Sequence, residues 1–394
     1  MFMTYLDWAA TAPPDSNIIQ DMALAAVKYF GNPSSSYPAG KLARKALENA
    51  REQCATILSC KPQQLAFTSG GSESNAIAFL SRLSLREPGT LIFGGAEHPS
   101  VSEAAKILEQ GGWKLLPLPP EKDGRISPDK LKAALERQHN VRMVSIMGVN
   151  NETGAIQPIK ELVEMVRSHE KNHPGPPILF HADLVQAVGK ITVNLQELGV
   201  DTAAFSAHKF RGPRGIGLFY HRNPQFEGLV KGGGQEHGVR PGTENVAGAM
   251  ALASALEQYG MPHSQIQKNG NWLLEQLLQI PQLQMVPQTR DLESDGHYVP
   301  GILAFSIPPI PGEVLARVLA DQGFALSTGS ACSSNRKGKL PRSLMAMQVP
   351  HDVAAGMIRV SLGPTTERHE LEAFLTALES AVKALSRVAQ GQRR

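Results

Sequence analysis

Short apolar runs alternate with amphipathic runs along residues 64–183, and this alternation constrains the fold more than any other feature of the chain. The predicted strands are QLAFTS, TLIFGG, WKLLPL, VRMVSIMGVN and PILFHAD. The predicted helices between them are SESNAIAFLSRL, VSEAAKILEQ, ISPDKLKAALE and IKELVEMVRSHE. Because strands that alternate with helices pair in parallel, the pattern predicts an α/β fold whose mostly parallel sheet is covered by helices on both faces.

The rhythm changes after about residue 260, where a second, smaller sheet is predicted. Its strands are PGILAFSI and the segment around IRVSL, and GEVLARVLADQG and a helix starting near residue 367 pack on it. We therefore expect a large domain over residues 16–260 and a small domain formed by residues 1–15 with 261–394. Within the large domain, helical spacing over residues 40–58 places Cys54 on a buried face.

Composition excludes several classes of protein. With 39 Lys+Arg and 36 Asp+Glu, the net charge is +3, which gives no electrostatic case for binding nucleic acid or a membrane surface. No run approaches the roughly 18 apolar residues of a membrane span, and the first residues lack a secretory pattern. Three cysteines do not make a disulfide framework, and their spacing does not suggest a metal site. A cytoplasmic enzyme is expected.

Two polar clusters follow predicted strands, where α/β proteins bind their ligands. In TSGGSESNA, Gly70 and Gly71 lead into a helix that opens with Ser72, an arrangement suited to an anion, although a tight turn with Ser72 as N-cap is the alternative. In HADLVQ, Asp183 ends an apolar run and would need a cationic partner such as a protonated pyridine nitrogen. Its alternative role is to cap a following helix.

A third cluster, AAFSAHKFRGPRGIG, places Lys209 after an apolar strand. A lysine in such a pocket can act as a Schiff-base amine, although most lysines are solvated surface groups. Ser206 and His208 beside it could hold a phosphate or the lysine itself.

The fourth cluster, STGSACSSN, surrounds Cys332 with small residues. Cys332 is followed by Arg336, Lys337, Lys339 and Arg342. Nearby positive charge favours the thiolate, so a mobile, solvent-reachable and reactive thiol is expected. By contrast, Cys54 is predicted to pack in the core and Cys60 to be an ordinary loop thiol.

Together the clusters predict one ligand with an anionic phosphate, a ring nitrogen that pairs with a carboxylate, and an aldehyde that reacts with Lys209. Pyridoxal 5′-phosphate (PLP) meets all three demands.

The chain resembles the cysteine desulfurases of the NifS/IscS group, which are fold-type I PLP enzymes of the class V aminotransferase type. The matching motifs, in order, are YLDWAATAP, FGNPSS, TSGGSESNA, AEHPS, VNNETGAIQP, HADLVQAVGK, FSAHKFRGPRGIG, GGGQEHGVRPGT, TGSACSS and IRVSLG. This resemblance implies a large domain with a mostly parallel seven-stranded sheet and a smaller α+β C-terminal domain that carries the catalytic cysteine loop, about residues 327–345.

The resemblance also implies a role for each matching residue. Lys209 would join the cofactor covalently, and Cys332 would be the nucleophile that accepts sulfur. Asp183 would pair with the pyridine nitrogen. Further contacts to the cofactor would come from Gln186 at the ring hydroxyl, from His98 stacked on the ring and moving protons, and from Gly71, Ser72, Ser206 and His208 at the phosphate. Asn151 would lie beside cofactor and substrate, and Arg359 would bind the substrate carboxylate. Thr243 would reach the phosphate of a neighbouring subunit, which implies a homodimer.

Three departures from the family pattern stand out. Tyr37 replaces a histidine, Pro241 replaces a serine, and the segment after Cys332 is basic where the family is apolar. A milder change is Ser72, which stands where threonine is common and keeps the hydroxyl.

The activity implied by the resemblance is conversion of L-cysteine to L-alanine, with the sulfur passing to Cys332 as a persulfide and then to a protein acceptor in iron–sulfur assembly or thiolation. Alternatives on the same scaffold are a selenocysteine lyase, a cysteine β-lyase or an aminotransferase. A more remote one is a non-catalytic homologue that acts as a scaffold. The sequence leaves the acceptor open.

Overall fold

The computed structural model describes residues 3–294, 296–328 and 340–391. Its strands are β1 (Thr4–Tyr5), β2 (Leu65–Thr68), β3 (Thr90–Gly94), β4 (Lys114–Leu118), β5 (Val141–Ser145), β6 (Leu179–Asp183), β7 (Thr202–Ser206), β8 (Gly217–His221), β9 (Gln284–Met285), β10 (Ile302–Ser306), β11 (Phe324–Ala325), β12 (Ser327–Thr328) and β13 (Ile358–Ser361).

The α-helices account for the predicted amphipathic runs. They are α1 (Ser16–Lys28), α2 (Pro38–Leu58), α3 (Gly71–Leu80), α4 (Pro99–Gln110), α5 (Pro128–Arg137), α6 (Ile159–Asn172), α7 (Leu195–Leu198), α8 (Val246–Tyr259), α9 (Ser264–Leu278), α10 (Gly312–Asp321), α11 (Arg342–Ala346), α12 (His351–Ala355) and α13 (Arg368–Gly391). The helix predicted over residues 40–58 is α2, and Cys54 on it is fully buried.

A seven-stranded sheet forms the centre of the molecule, with strand order β2-β8-β7-β6-β5-β3-β4. All neighbours pair in parallel except β8, which is antiparallel to both β2 and β7. Since β2 is therefore parallel to β7, the carboxyl ends of six strands meet at one edge. The predicted mostly parallel α/β sheet is confirmed.

Helices cover both faces of this sheet. Side chains of α2, α5, α6 and α8 form one hydrophobic cluster, and side chains of α3 and α4 form another on the opposite face. Neighbouring strand residues point to opposite sides, as Phe180 belongs to the first cluster and Leu179 packs against the second. This two-sided burial explains why the strands are continuous apolar runs.

A second group of strands lies apart from the large sheet. It has a four-stranded sheet of order β12-β13-β10-β9 and a parallel pair of β1 and β11. A separate hydrophobic cluster around Phe305 and Phe374 supports it, and Leu6 from the beginning of the chain is part of that cluster. The division near residue 260 itself stays a prediction. Over the residues described, no helix has the length and apolar character needed to cross a membrane.

Strand β8 lies tightly against the turn that follows β2. A Cβ atom added at Gly217, the first residue of β8, would lie 2.5 Å from Gly70 Cα and 2.6 Å from the Phe205 carbonyl oxygen. Both neighbours are backbone atoms, so only a residue without a side chain fits between them.

We therefore expect Gly217→Ala to lower the free energy of unfolding by roughly 1–3 kcal/mol, because the backbone must shift to admit the methyl group. Urea denaturation measures this change. Gly175→Ala is the control, since the nearest atom to a Cβ at that exposed glycine is 3.9 Å away. Equal stability of the two variants would show that β8 does not pack as described.

Candidate active site

A cavity of about 340 Å³ lies at the carboxyl edge of the large sheet, where Arg359 of β13 also reaches it. Ten of the predicted site residues line this cavity: Gly71, Ser72, His98, Asn151, Asp183, Gln186, Ser206, His208, Lys209 and Arg359. They come from six separate stretches of the chain, so the fold brings together residues that are far apart in the sequence. Pockets of 300 Å³ and more are typical of small-molecule sites.

One end of the cavity is the start of α3. The N-cap of this helix is Gly70, which has no side chain to bond the first N–H groups, so the alternative in which Ser72 is the N-cap is wrong. A Cβ at Gly71 would lie 2.5 Å from Val185 Cγ2, so a residue with a side chain would clash there, and this explains why a second glycine follows Gly70. Uncapped N–H groups at the start of a ten-residue helix suit an anion.

His208 lies beside this end of the cavity. Its pKa is lowered to about 4, mainly by burial and in addition by the charges of Lys209, Arg214 and Lys190. The ring is therefore neutral at neutral pH, and its Nδ1 lies 3.1 Å from Thr11 Oγ1. A neutral imidazole can donate one hydrogen bond to an anion while the cations around it supply the charge.

Asp183 ends β6 and is buried. Its Oδ2 accepts a hydrogen bond from Asn75 Nδ2 at 2.8 Å, and its Oδ1 accepts one from the Val185 N–H at 3.0 Å. Turns follow Asp183 and no helix begins there, so the alternative role as a helix cap is wrong. The carboxylate is held in place by neutral donors at the cavity wall.

A chain of hydrogen bonds runs from Asp183 through Asn75 and His181 to Thr202. Asn75 Oδ1 lies 2.9 Å from His181 Nε2, and His181 Nδ1 lies 2.9 Å from Thr202 Oγ1. Because the Asn75 amide nitrogen donates to Asp183, its oxygen must accept from His181. His181 is then protonated at Nε2 and accepts at Nδ1, which fits a pKa lowered to about 3 by burial.

Lys209 follows β7 and its Nζ donates to the carbonyl oxygens of Ala9 and Ala10, both at 2.8 Å. Gln186 Nε2 donates to the same Ala9 carbonyl at 2.8 Å, whereas Gln186 Oε1 is buried without a hydrogen-bond partner. The turn at Ala9 and Ala10 thus orients both side chains at the cavity wall.

Lys190 is a second lysine near Lys209. Both side chains line a narrow cavity of about 50 Å³ that adjoins the larger one. Desolvation lowers the pKa of the Lys190 ammonium to about 7, and the charges of Lys209 and Arg359 act in the same direction. The site therefore concentrates positive charge near Lys209.

Glu97 precedes His98 and is buried. Its Oε1 accepts the Met147 N–H at 2.6 Å, and its Oε2 has no partner. Burial and the neighbouring Asp183 raise the pKa of this carboxyl well above its usual range. His98 itself lies at the exposed rim, with its Nδ1 2.8 Å from Ser100 Oγ.

Arg359 is the buried guanidinium of the site. Its Nη2 donates to Asp7 Oδ1 at 2.6 Å and to Ser327 Oγ at 2.9 Å, and its Nη1 donates to the Asn151 carbonyl oxygen at 2.8 Å. Arg359 Nε is buried without a partner. These contacts join β13, β12 and the beginning of the chain at one point of the cavity wall.

The two described ends that flank residues 329–339 are both fixed near the cavity. Ser327, paired in register with Arg359, lies on the side before this segment. On the side after the segment, the Ser343 hydroxyl donates to Glu152. Burial raises the pKa of the Glu152 carboxyl to about 7, although the charge of Arg359 acts in the opposite direction. Cys332 lies outside the described residues.

Thr243 is the remaining predicted residue. It is exposed and does not line the cavity of its own chain. Within the described residues, no group of three or more His, Cys, Asp and Glu side chains could hold a metal ion.

Sequence reasoning missed Asn75, Glu97, Lys190 and Asp7 as parts of the site. Asn75 could have been found, because it follows Gly71 by four positions and so lies on the same face of α3. The pairing of Asp7 with Arg359 spans 352 positions and has no local signal.

Comparisons with known proteins agree in pointing to one family. The family model for class-V aminotransferases matches residues 4–374. The chain is 36% identical over 390 residues to "Cysteine desulfurase IscS" of Dictyoglomus turgidum, covering 97% of this chain and 95% of that protein.

Solved structures give the same picture. A NifS-like protein superposes with a TM-score of 0.85 at 31% identity, covering 97% of this chain and 100% of that chain. SspA, solved in complex with cysteine, superposes with a TM-score of 0.77 at 27% identity, covering 91% and 99%.

The buried His181 predicts an acid-dependent loss of stability. Its pKa is about 3 in the folded chain against 6.5 for an ordinary histidine, so the unfolded chain binds a proton that the folded chain refuses as the pH falls below 6.5. Between about pH 7.5 and pH 5 this costs about 2 kcal/mol of unfolding free energy. Denaturation of His181→Gln should show a shallower pH dependence by that amount. The exposed His173→Gln serves as control, and parallel curves for His181→Gln and the unmodified chain would contradict the prediction.

Proposed function

The chain belongs to the cysteine desulfurases of the class-V aminotransferase family, and we propose that it converts L-cysteine to L-alanine while passing the sulfur to Cys332. The family uses PLP. The observation that carries the proposal is the single cavity that brings Lys209, Asp183 and Arg359 together. An amine, a buried carboxylate and a guanidinium are the groups needed to hold PLP and an amino acid.

The residues of the cavity fit PLP. The uncapped start of α3 offers N–H groups for the phosphate, with Ser206 and His208 beside it. Asp183 would pair with the ring nitrogen. The unpartnered Gln186 Oε1 marks a buried polar position that a ring hydroxyl could satisfy.

PLP, when bound, acts as an electron sink that makes the α-proton of an amino acid acidic. Lys209 would hold the cofactor covalently and, once its amine is free, would take up and return the substrate proton. His98 would cover the ring. Although His98 as a residue is exposed, desolvation of its imidazole lowers the pKa, Asp183 partly offsets this, and Lys209 adds to it. A neutral imidazole is therefore available to receive a proton at neutral pH.

Arg359 and Asn151 would bind the substrate. The guanidinium is fixed by Asp7 and by the Asn151 carbonyl, and its unpartnered Nε is available for a carboxylate oxygen. SspA, which superposes on this chain, was solved with cysteine bound, and this favours an amino acid of the same kind here.

Cys332 would carry the sulfur. Its thiolate attacks the substrate sulfur, an S–S bond forms as the C–S bond breaks, and the electron pair of the broken bond stays on carbon, which is protonated to give L-alanine. Cys332 follows Thr328 by four residues, and four residues span at most about 14 Å. Since Thr328 lies next to Ser327, which bonds Arg359, this reach supports transfer at the cavity.

The working unit we propose is a homodimer. Thr243, exposed in its own chain, would contact the phosphate of the neighbouring subunit. The sulfur would pass from Cys332 to a protein acceptor in the cytoplasm, in iron–sulfur assembly or thiolation. Neither nucleic acid nor a membrane is needed as a partner for this chemistry.

Purified protein given L-cysteine and a thiol reductant should release alanine and sulfide in equal amounts. Cys332→Ala should abolish sulfide release and persulfide formation, because no nucleophile remains for the sulfur, yet keep the colour of bound PLP. Cys60→Ala is the matched control, since Cys60 is a half-buried thiol whose pKa burial raises to about 12.

Two outcomes would count against this function. Pyruvate and ammonia in place of alanine would indicate β-elimination. Activity of Cys332→Ala on selenocysteine but not on cysteine would favour a selenocysteine lyase.

Thr243→Ala should weaken PLP binding by roughly tenfold, because one hydrogen bond to a charged phosphate is lost. Titration of the apoprotein with PLP, followed by absorbance, measures the affinity. Thr243→Ser keeps the hydroxyl and should bind normally. Unchanged affinity in Thr243→Ala would remove Thr243 from the cofactor site.

A further inference from the structure

The chain around Thr243 has an unusual backbone. Within residues 233–243, here called the Thr243 loop, Gly234, Glu236, His237 and Gly238 have positive φ values of 77°, 48°, 57° and 82°. Two of these residues are not glycine, and a left-handed backbone is costly for them. Such a conformation persists only where neighbouring contacts impose it.

A buried ion pair imposes it at the base of the loop. Glu236 accepts from Arg51 of α2 through both carboxylate oxygens, at 2.6 and 3.2 Å, and both side chains are only 2% exposed. Glu236 Oε2 also accepts the Phe67 N–H at 2.8 Å, and Arg51 donates to the Leu65 carbonyl at 2.8 Å. The base of the Thr243 loop is thus fixed to β2.

A second, accessible ion pair holds residues 240–243, here called the arm of the loop. Arg240 Nε lies 3.1 Å from Glu73 Oε1, with both side chains about 30% exposed (29% and 30%). Glu73 lies in the first turn of α3 and also accepts the Ser69 N–H. Arg240 therefore joins the arm to the turn that would bind the phosphate.

Two local contacts carry this placement to Thr243. The Gly242 N–H donates to Gln235 Oε1 at 3.2 Å. Pro241 packs on Gly232 so closely that a Cβ there would lie 2.4 Å from Pro241 Cβ. Residues 240–243 are thus held by the Arg240–Glu73 ion pair together with these contacts to Gln235 and Gly232.

We infer that Arg240 is a positioning residue that acts across the subunit boundary, because its ion pair with Glu73 sets where Thr243 meets the partner's cofactor. This inference rests on the proposed exchange of Thr243 between subunits. The inference predicts which of the two sites is affected. Loss of Arg240 in one chain should weaken PLP binding in the other chain and leave PLP binding in its own chain unchanged.

Heterodimers with two affinity tags test this direction. Lys209→Ala removes the covalent attachment in one chain, so the absorbance of PLP joined to Lys209 reports a single site. In the first heterodimer, one chain carries Arg240→Met and the partner carries Lys209→Ala. In the second, one chain carries both substitutions and the partner is unmodified.

We expect PLP titrations to give normal affinity in the first heterodimer, whose reporting site receives an intact Thr243 loop. In the second, the reporting site receives the altered loop, and its affinity should fall by roughly tenfold, within the usual range of couplings between sites. Lys231→Met in place of Arg240→Met is the control, because the Lys231–Glu227 pair is exposed and lies outside the loop.

The opposite pattern, weakening only in the first heterodimer, would show that Arg240 acts on its own chain through Glu73 and would overturn the inference. Equal affinity in both heterodimers would overturn it as well. Thr243→Ala placed in the same two arrangements separates this from failure of the proposed function. If Thr243→Ala acts across the boundary and Arg240→Met does not, only the inference fails; if neither acts across it, the shared site fails.

Discussion

The carboxylate of Asp183 is the constraint on which the site depends. It ends a strand buried on both sides, and a charge there is tolerated only because Asn75 and the Val185 N–H satisfy its oxygens. Asn75 is in turn oriented by a hydrogen bond from the neutral His181, and His181 is oriented by one from Thr202. Three further polar side chains, one each from α3, β6 and β7, are thus held in place by one charge, and α3 is fixed against both strands by the same contacts.

Positive charge balances this arrangement. Lys209 and Arg359 line the cavity and Lys190 lies near Lys209. Desolvation lowers the pKa of Lys190 to about 7 and that of His208 to about 4, and the repulsion between neighbouring cations acts in the same direction. An anionic ligand would relieve that repulsion, and the start of α3 points its N–H groups to the same place. Electrostatics alone therefore favours a phosphate and a carboxylate in this cavity.

Much of the fold could be predicted from the sequence, because its strands and helices differ in the period of their apolar residues. Strand β8 was not among the predicted elements. It directly follows a Gly- and Pro-rich loop, and its place between β2 and β7 is set by pairing over long distances. The first residues likewise gave little local indication that β1 pairs with β11.

The site was predictable wherever a motif brings its residues together locally, as in the turn before α3 or around Lys209. Contacts that join remote segments were not, and Asp7 with Arg359 and Arg51 with Glu236 are the main cases. Burial also sets properties that the residue type alone does not reveal: it raises the pKa of Glu97 and lowers that of His181, in both cases toward the neutral form.

The two fixed ends around residues 329–339 have an evolutionary consequence. Ser327 is bound to Arg359 and Ser343 to Glu152, so the cavity wall on both sides of the segment is held by side chains that lie outside it. The segment includes Cys332, the proposed nucleophile, so selection on this cysteine and on its neighbours acts on one stretch of the gene, apart from selection on the cavity wall. A basic segment in place of an apolar one is the kind of divergence that such a modular arrangement permits.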